Sequence, residues 1–186
     1  ASGLLSLRET ASVFALVEVS AVEVTDTRRV VQFGLDGREV ASWTVHPGAY
    51  DLAVGSAADG EPIVFVVARG ELSATSRVVL YRLDGTVMDE KDVEGNIVGF
   101  DTTFSGMPRQ IVSVRLSSSF EAHLDGRNGP VIAGEPSDLA VAPNGDLFVV
   151  SGLFDREPGA VLLHYTATGC LVETWPNDLL NGYPNV

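Results

Sequence analysis

RVVQFGLDGREVASW, residues 29–43, holds the reading that decides the fold. Two runs rich in β-branched and aromatic residues, RVVQF and EVASW, flank the pair Asp36-Gly37. Such runs bounded by turn residues are strand signatures. Asp-Gly accepts the positive φ angles of a tight reversal, so the stretch predicts two antiparallel strands joined by a two-residue hairpin.

The same corner recurs along the chain. FGLDG ends at Gly37, YRLDG at Gly85, AHLDG at Gly126 and YTATG at Gly169, with spacings of 48, 41 and 43 residues. A period of roughly 40 to 50 residues matches one four-stranded blade of a β-propeller. An aromatic residue stands four positions before the glycine in three of these units (Phe33, Tyr81, Tyr165), and Trp43 and Trp175 stand six positions after it. Stacked repeats bury one continuous core, so these five aromatics read as packing between blades rather than as a platform for stacking sugars.

A second marker opens each unit: AYDLAV at 49–54, PSDLAV at 136–141 and the degenerate GNIVGF at 95–100. Each is followed by a polar turn (Asp59-Gly60, Ser105-Gly106, Asn144-Gly145) and then by a β-rich run, IVFVVA, QIVSVRL or LFVVS. No apolar stripe of helical period extends beyond two turns. The expected fold is therefore all-β: a propeller of about four four-stranded antiparallel blades at 3–45, 49–93, 95–133 and 136–175, in a single domain. Residues 176–186 read as the start of a further blade or as a ring-closing segment, so the chain is either a small ring or a segment of a larger five- or six-bladed propeller.

Composition excludes several classes of function. The chain has 186 residues, of which 45% are hydrophobic and 20% charged, enough to bury a core and too apolar for disorder. With 25 acidic against 12 basic residues the formal charge is -13, so neither a nucleic-acid backbone nor an anionic membrane attracts it. The single Cys170 closes no intramolecular disulfide, no CxxC or HExxH framework is present, and the compartment stays open. The most apolar run, residues 63–68, is about a third of a membrane span, and the N-terminus lacks the layout of a signal peptide; a soluble chain is expected.

Residues 135–150, EPSDLAVAPNGDLFVV, resemble the first two strands of an NHL-type blade, and residues 161–175, VLLHYTATGCLVETW, resemble its last two. The resemblance implies the propeller fold, which is shared by scaffolds, receptors and enzymes alike. Two enzyme branches of that superfamily allow a residue check. The gluconolactonase-like branch holds a metal with acidic and Asn ligands, and its blade openings read Pro-Asn-Gly; here the opening reads Pro136-Ser137-Asp138. The peptidyl-hydroxyglycine amidating-lyase branch holds zinc through Pro-His openings; here His46 precedes Pro47 instead of following a proline. Neither metal set carries over.

Function concentrates on long loops held by a rigid scaffold. In a propeller the connections between units and between second and third strands share one face. Here the second-to-third connections, near 20–27, 69–76 and 152–159, are long and polar. That face is acidic: Glu23, Asp26, Glu71, Asp155 and Glu157 lie in the loops, and Glu94 and Glu135 between units. Asp51 and Asp138, opening innermost strands, are placed at the mouth of the central channel. The candidate ligand-binding residues are thus Asp51, Asp138, Glu135 and His46. Convergent carboxylates suit a hard cation such as Ca²⁺; the competing reading is that each Asp accepts backbone N–H groups of the preceding turn. His123 and His164 fall on third strands of different units and His46 between units, so the three do not assemble a zinc site. The serines at 117–119 lack a positioned base and read as a turn.

The expected function is a non-enzymatic binding or scaffold module that offers its acidic loop face to a protein, peptide or cationic ligand. A metal-dependent hydrolase or lyase with its site at the channel mouth is the rival, and a purely structural domain of a larger secreted or surface protein is the third reading.

Overall fold

The computed structural model describes residues 12–19, 27–57, 59–71, 74–103, 106–116, 119–152 and 160–175. The first unit contains β1 (Ser12–Val19), β2 (Thr27–Gly34) and β3 (Glu39–Val45). The second contains β4 (Ala49–Ser56), β5 (Pro62–Arg69), β6 (Thr75–Arg82) and β7 (Val87–Glu94). The third contains β8 (Asn96–Thr102), β9 (Pro108–Leu116), β10 (Ser119–Leu124) and the short β11 (Val131–Ile132). The fourth contains β12 (Glu135–Val141), β13 (Leu147–Gly152), β14 (Ala160–Tyr165) and β15 (Leu171–Trp175). Each unit is a sheet of antiparallel neighbours in chain order, so each is one propeller blade. Among the described residues the first blade has three strands and the others four. The expected start of blade 1 at residue 3, the acidic loop residues Glu23, Asp26, Asp155 and Glu157, and the segment 176–186 lie outside the described residues.

Side chains alternate across each strand, and among the described residues three interfaces bury apolar rows between successive blades. Phe14, Leu16 and Val30 of blade 1 form a buried cluster with Leu52, Val64 and Tyr81 of blade 2. Ala53, Phe65 and Val67 of blade 2 join Ile97, Phe100 and Val112 of blade 3. Ile111, Leu124 and Ile132 of blade 3 join Leu139, Leu147 and Tyr165 of blade 4. Alternation of this kind puts one apolar row into each interface, which is why β5, buried on both faces, is nearly continuous in Val, Ile and Phe.

The tight corners share one pattern of backbone bonds, closed between Gly34 and Arg38, Ala57 and Glu61, Arg82 and Thr86, Thr103 and Met107, Ala142 and Asp146, and Thr166 and Cys170. At the first, Gly37 N–H donates to Gly34 O and Gly34 N–H to Arg38 O, both at 2.9 Å. Gly37 alone takes positive φ, 76°, while Asp36 and Asp84 keep negative φ. The reversal is thus a longer turn ending in a left-handed glycine, not the two-residue hairpin expected, and Asp36 serves it by accepting Arg38 N–H at 3.0 Å.

Blade 3 departs from the expected phase. Its ladder pairs Ile111 with Leu124, as Val67 pairs with Val78 in blade 2 and Val150 with Leu162 in blade 4. Tyr81 and Tyr165 lie three residues beyond Val78 and Leu162. The matching position in blade 3 is Arg127, not Ala122, because β10 ends at Leu124 and the chain turns early. Gly126 is therefore not equivalent to Gly37, Gly85 and Gly169, although AHLDG imitates their motif.

Candidate functional site

Three innermost strands, β4, β8 and β12, carry a bulge at the same point, where the register shifts between Ala49 and Asp51, Ile97 and Gly99, and Pro136 and Asp138. A bulge leaves one residue out of the ladder and re-aims its neighbour. Asp51 and Asp138 follow the extra residue, and each Oδ1 accepts the next residue's N–H, Leu52 and Leu139, at 2.8 Å. These donors come from the following residue rather than from a preceding turn. At the third equivalent position stands Gly99, where a Cβ would lie 2.9 Å from Leu139 N and Leu139 Cβ. The inner strands of blades 3 and 4 approach too closely there for any side chain.

The carboxylates sense one another. Burial pushes the Asp51 carboxyl up to about 7, against the pull of the Leu52 N–H, and the nearby charges of Asp138 and Asp101 push in the same upward direction. Asp138 itself is exposed. Asp101 is the group that sequence reasoning missed, since the equivalent residues are Ala53 and Ala140. Its carboxylate accepts Thr102 N–H through Oδ1 and Val141 N–H through Oδ2, both at 2.7 Å, so it fastens blade 3 to blade 4. Its forewarning is an acid two residues past Gly99, the glycine that stands where the other copies have aspartate.

The other expected site residues do not join this group. Glu135 is exposed at the start of β12, opposite Gly152. His46 donates its backbone N–H to the Tyr81 hydroxyl at 3.2 Å, and its ring Nδ1 meets Pro47 O. The first of these ties His46 to β6, the third strand of blade 2. Glu71 faces Arg77, which also holds Asp92 at 2.8 Å, and Glu94 is paired with Arg127 at 2.8 Å. A hollow of about 410 Å³ lies beside this loop end, lined by Tyr50, Arg69, Ser76 and Asn96.

Among the described residues no three His, Cys, Asp or Glu side chains form a group that could hold a metal ion. His123 bonds Gly129 O and Glu121 Oε2 at 3.1 Å, and His164 bonds Asp146 Oδ2 at 3.1 Å. The His164 ring also lies parallel to Phe148, centroids 4.8 Å apart, and to Trp175 at 5.9 Å. Trp175 therefore stacks within its own blade, whereas Trp43 packs at the interface between blades 1 and 2. Within the described residues no helix is long and apolar enough to cross a membrane.

No family model and no curated protein matches the chain. Among solved structures, it is similar to a quinonprotein alcohol dehydrogenase-like protein from Bacteroides thetaiotaomicron, at 12% identity and a TM-score of 0.50, over 94% of this chain and 45% of that one. A eukaryotic initiation factor shares 15% identity at a TM-score of 0.45, over 90% of this chain and 40% of that one. A protein of unknown function from Bacteroides caccae shares 14% at 0.38, over 94% and 85%. The chain thus spans less than half the length of the first two. At such identities the likeness concerns fold alone, and together with the four antiparallel sheets it makes this chain an all-β, propeller-like protein.

Proposed function

We propose that the protein is a non-enzymatic binding module of NHL-like build whose inner-strand carboxylates receive a cationic group, such as a lysine or arginine side chain of a protein or peptide partner. The observation that carries this reading is the matching bulge of β4 and β12, which sets Asp51 and Asp138 at equivalent points of the inner strands near Asp101; burial and the neighbouring acids push the Asp51 carboxyl up. Three acids in one neighbourhood are relieved by an incoming positive charge, and no ion pair among the described residues reaches Asp51 or Asp138. The acid surplus, 25 against 12, favours such a partner at long range.

Calorimetric titration with an oligolysine peptide and an oligoglutamate control tests the proposal. Binding of the cationic peptide is expected at low salt and should weaken severalfold in Asp51→Asn and Asp138→Asn. Equal affinity in both variants and the parent chain rejects it, as does turnover of a hydrolase substrate that disappears in either variant.

A further inference from the structure

At two of the three described interfaces, a blade presents to the next a row of apolar residues from its second, third and fourth strands, and a tyrosine of the next blade covers that row. Tyr81 joins the cluster of Phe14, Val30, Val45 and Trp43 from blade 1. Tyr165 joins Ile111, Leu124 and Ile132 from blade 3. Both hydroxyls accept a backbone N–H from the connection between blades, His46 at 3.2 Å and Ala133 at 3.1 Å.

The interface between blades 2 and 3 has the row without its tyrosine. By ladder register Phe65, Val78, Lys91 and Val93 correspond to Phe14, Val30, Trp43 and Val45. β10 ends at Leu124, so Arg127, three residues on as Tyr81 and Tyr165 are from Val78 and Leu162, lies in the turn beyond the strand, and its side chain donates to Glu94 at 2.8 Å. The residues blade 3 does offer are Pro108, Gln110 and Asp125, where blade 4 offers Leu147, Val149 and Leu163 at the matching register. The result is a cavity of about 630 Å³ floored by Phe65, Val78, Leu80 and Phe100 and rimmed by Asp89, Lys91, Gln110 and Asp125.

We infer that this cleft is a binding site for a small aromatic molecule bearing a hydroxyl or comparable polar group, whose ring takes the place of the tyrosine present in the two flanking interfaces. The volume falls in the range of about 300 to 1,000 Å³ typical of small-molecule sites, and an apolar floor with few polar groups at the rim is their usual make-up. Phe65 and Phe100, with centroids 5.8 Å apart and planes at 47°, supply an aromatic wall. Lys91, which makes no ion pair among the described residues, and the Asp89 carboxylate supply donor and acceptor for the head group. This site is separate from the inner-strand carboxylates and does not rest on their proposed role.

The test titrates the full chain with p-cresol, the tyrosine side chain as a free molecule, and with 4-methylcyclohexanol, its non-aromatic counterpart, followed by two-dimensional NMR. Saturable shifts at Phe65, Val78, Leu80 and Val93 are expected, with p-cresol about threefold or more tighter than the alcohol. Leu80→Trp fills the cleft from blade 2 and Gln110→Tyr from blade 3; a folded variant of either kind should lose these shifts. Absence of saturable shifts, equal affinity for the two probes, shifts centred elsewhere, or unchanged binding in a folded filled variant overturns the inference.

Discussion

The Asp101 carboxylate accepts the Val141 N–H at 2.7 Å across the boundary between blades 3 and 4. The donor belongs to a buried strand residue, so an alanine in place of the acid leaves that N–H without its partner. Asp101→Ala is expected to lower stability by about 1 to 3 kcal/mol in urea denaturation. A loss within experimental error would show that Val141 finds another acceptor.

Asp51 should make the fold sensitive to pH in the direction opposite to a salt-bridged acid. Its folded pKa, about 7, exceeds the ordinary 3.8. Between those values the folded chain holds a proton that the unfolded chain releases, so stability falls as pH rises from about 4 to 7 and stays low above. Asp51→Asn keeps an acceptor for Leu52 N–H and removes the charge. The variant should melt with the parent at pH 4 and above it at pH 8, by about 2 to 4 kcal/mol. Parallel melting curves at both pH values contradict the assignment.

Gly85 takes φ of 84° and a Cβ there would lie 2.7 Å from Trp43 Cβ. Gly85→Ala combines left-handed strain with a clash across the first interface and is expected to cost about 2 to 4 kcal/mol. The Trp43 fluorescence maximum should shift with it, since the indole is the group displaced. Gly126→Ala has positive φ as well, 111°, but no atom within 4 Å, so its cost should be the smaller of the two.

The two ways of tying a blade connection should differ in strength. Tyr81 is 4% exposed and bonds His46 N–H, so Tyr81→Phe is expected to cost about 1 kcal/mol and Tyr81→Ala about 3 to 5. Arg127 and Glu94 are both largely exposed, and Arg127→Ala should change stability by less than about 1 kcal/mol. Thermal melts of the three variants rank the effects directly.

Calcium at millimolar concentration is expected to leave the melting temperature unchanged. A metal bound only to the folded chain adds about 2.7 kcal/mol at a hundred times its dissociation constant. A rise of that order, lost in Asp51→Asn, would restore the metal-dependent hydrolase reading.

The legible part of this fold was carried by backbone demands that few residues meet. Gly37, Gly85 and Gly169 mark left-handed corners, and the Asp-Leu pairs at 51–52 and 138–139 mark bulged inner strands, so both could be read as repeats. Blade 3 misleads because AHLDG satisfies the local turn chemistry of a corner, while the ladder from Ile111 to Leu124 places that corner five residues early: Gly126 stands two residues past Leu124, where Gly85 and Gly169 stand seven past Val78 and Leu162. Register depends on pairing across the sheet, which a local motif does not encode. Asp101 escaped notice for a related reason: its task is defined by the backbone of another blade, and its counterparts are alanines. His46 stands close to Asp51 along the chain, whereas the connection between blades ties its backbone N–H to Tyr81.

The stitches around β8 bear on how the molecule comes apart. Thr102 donates to Val54 O at 2.7 Å on one side, and Asp101 accepts from Val141 on the other. Adjacent residues of a single strand thus clamp both neighbours, and that strand becomes the keystone of the arch. Amide exchange at Val141 should then track the opening of blade 3 rather than that of its own sheet, so that blades 2 and 4 lose protection together once β8 lets go.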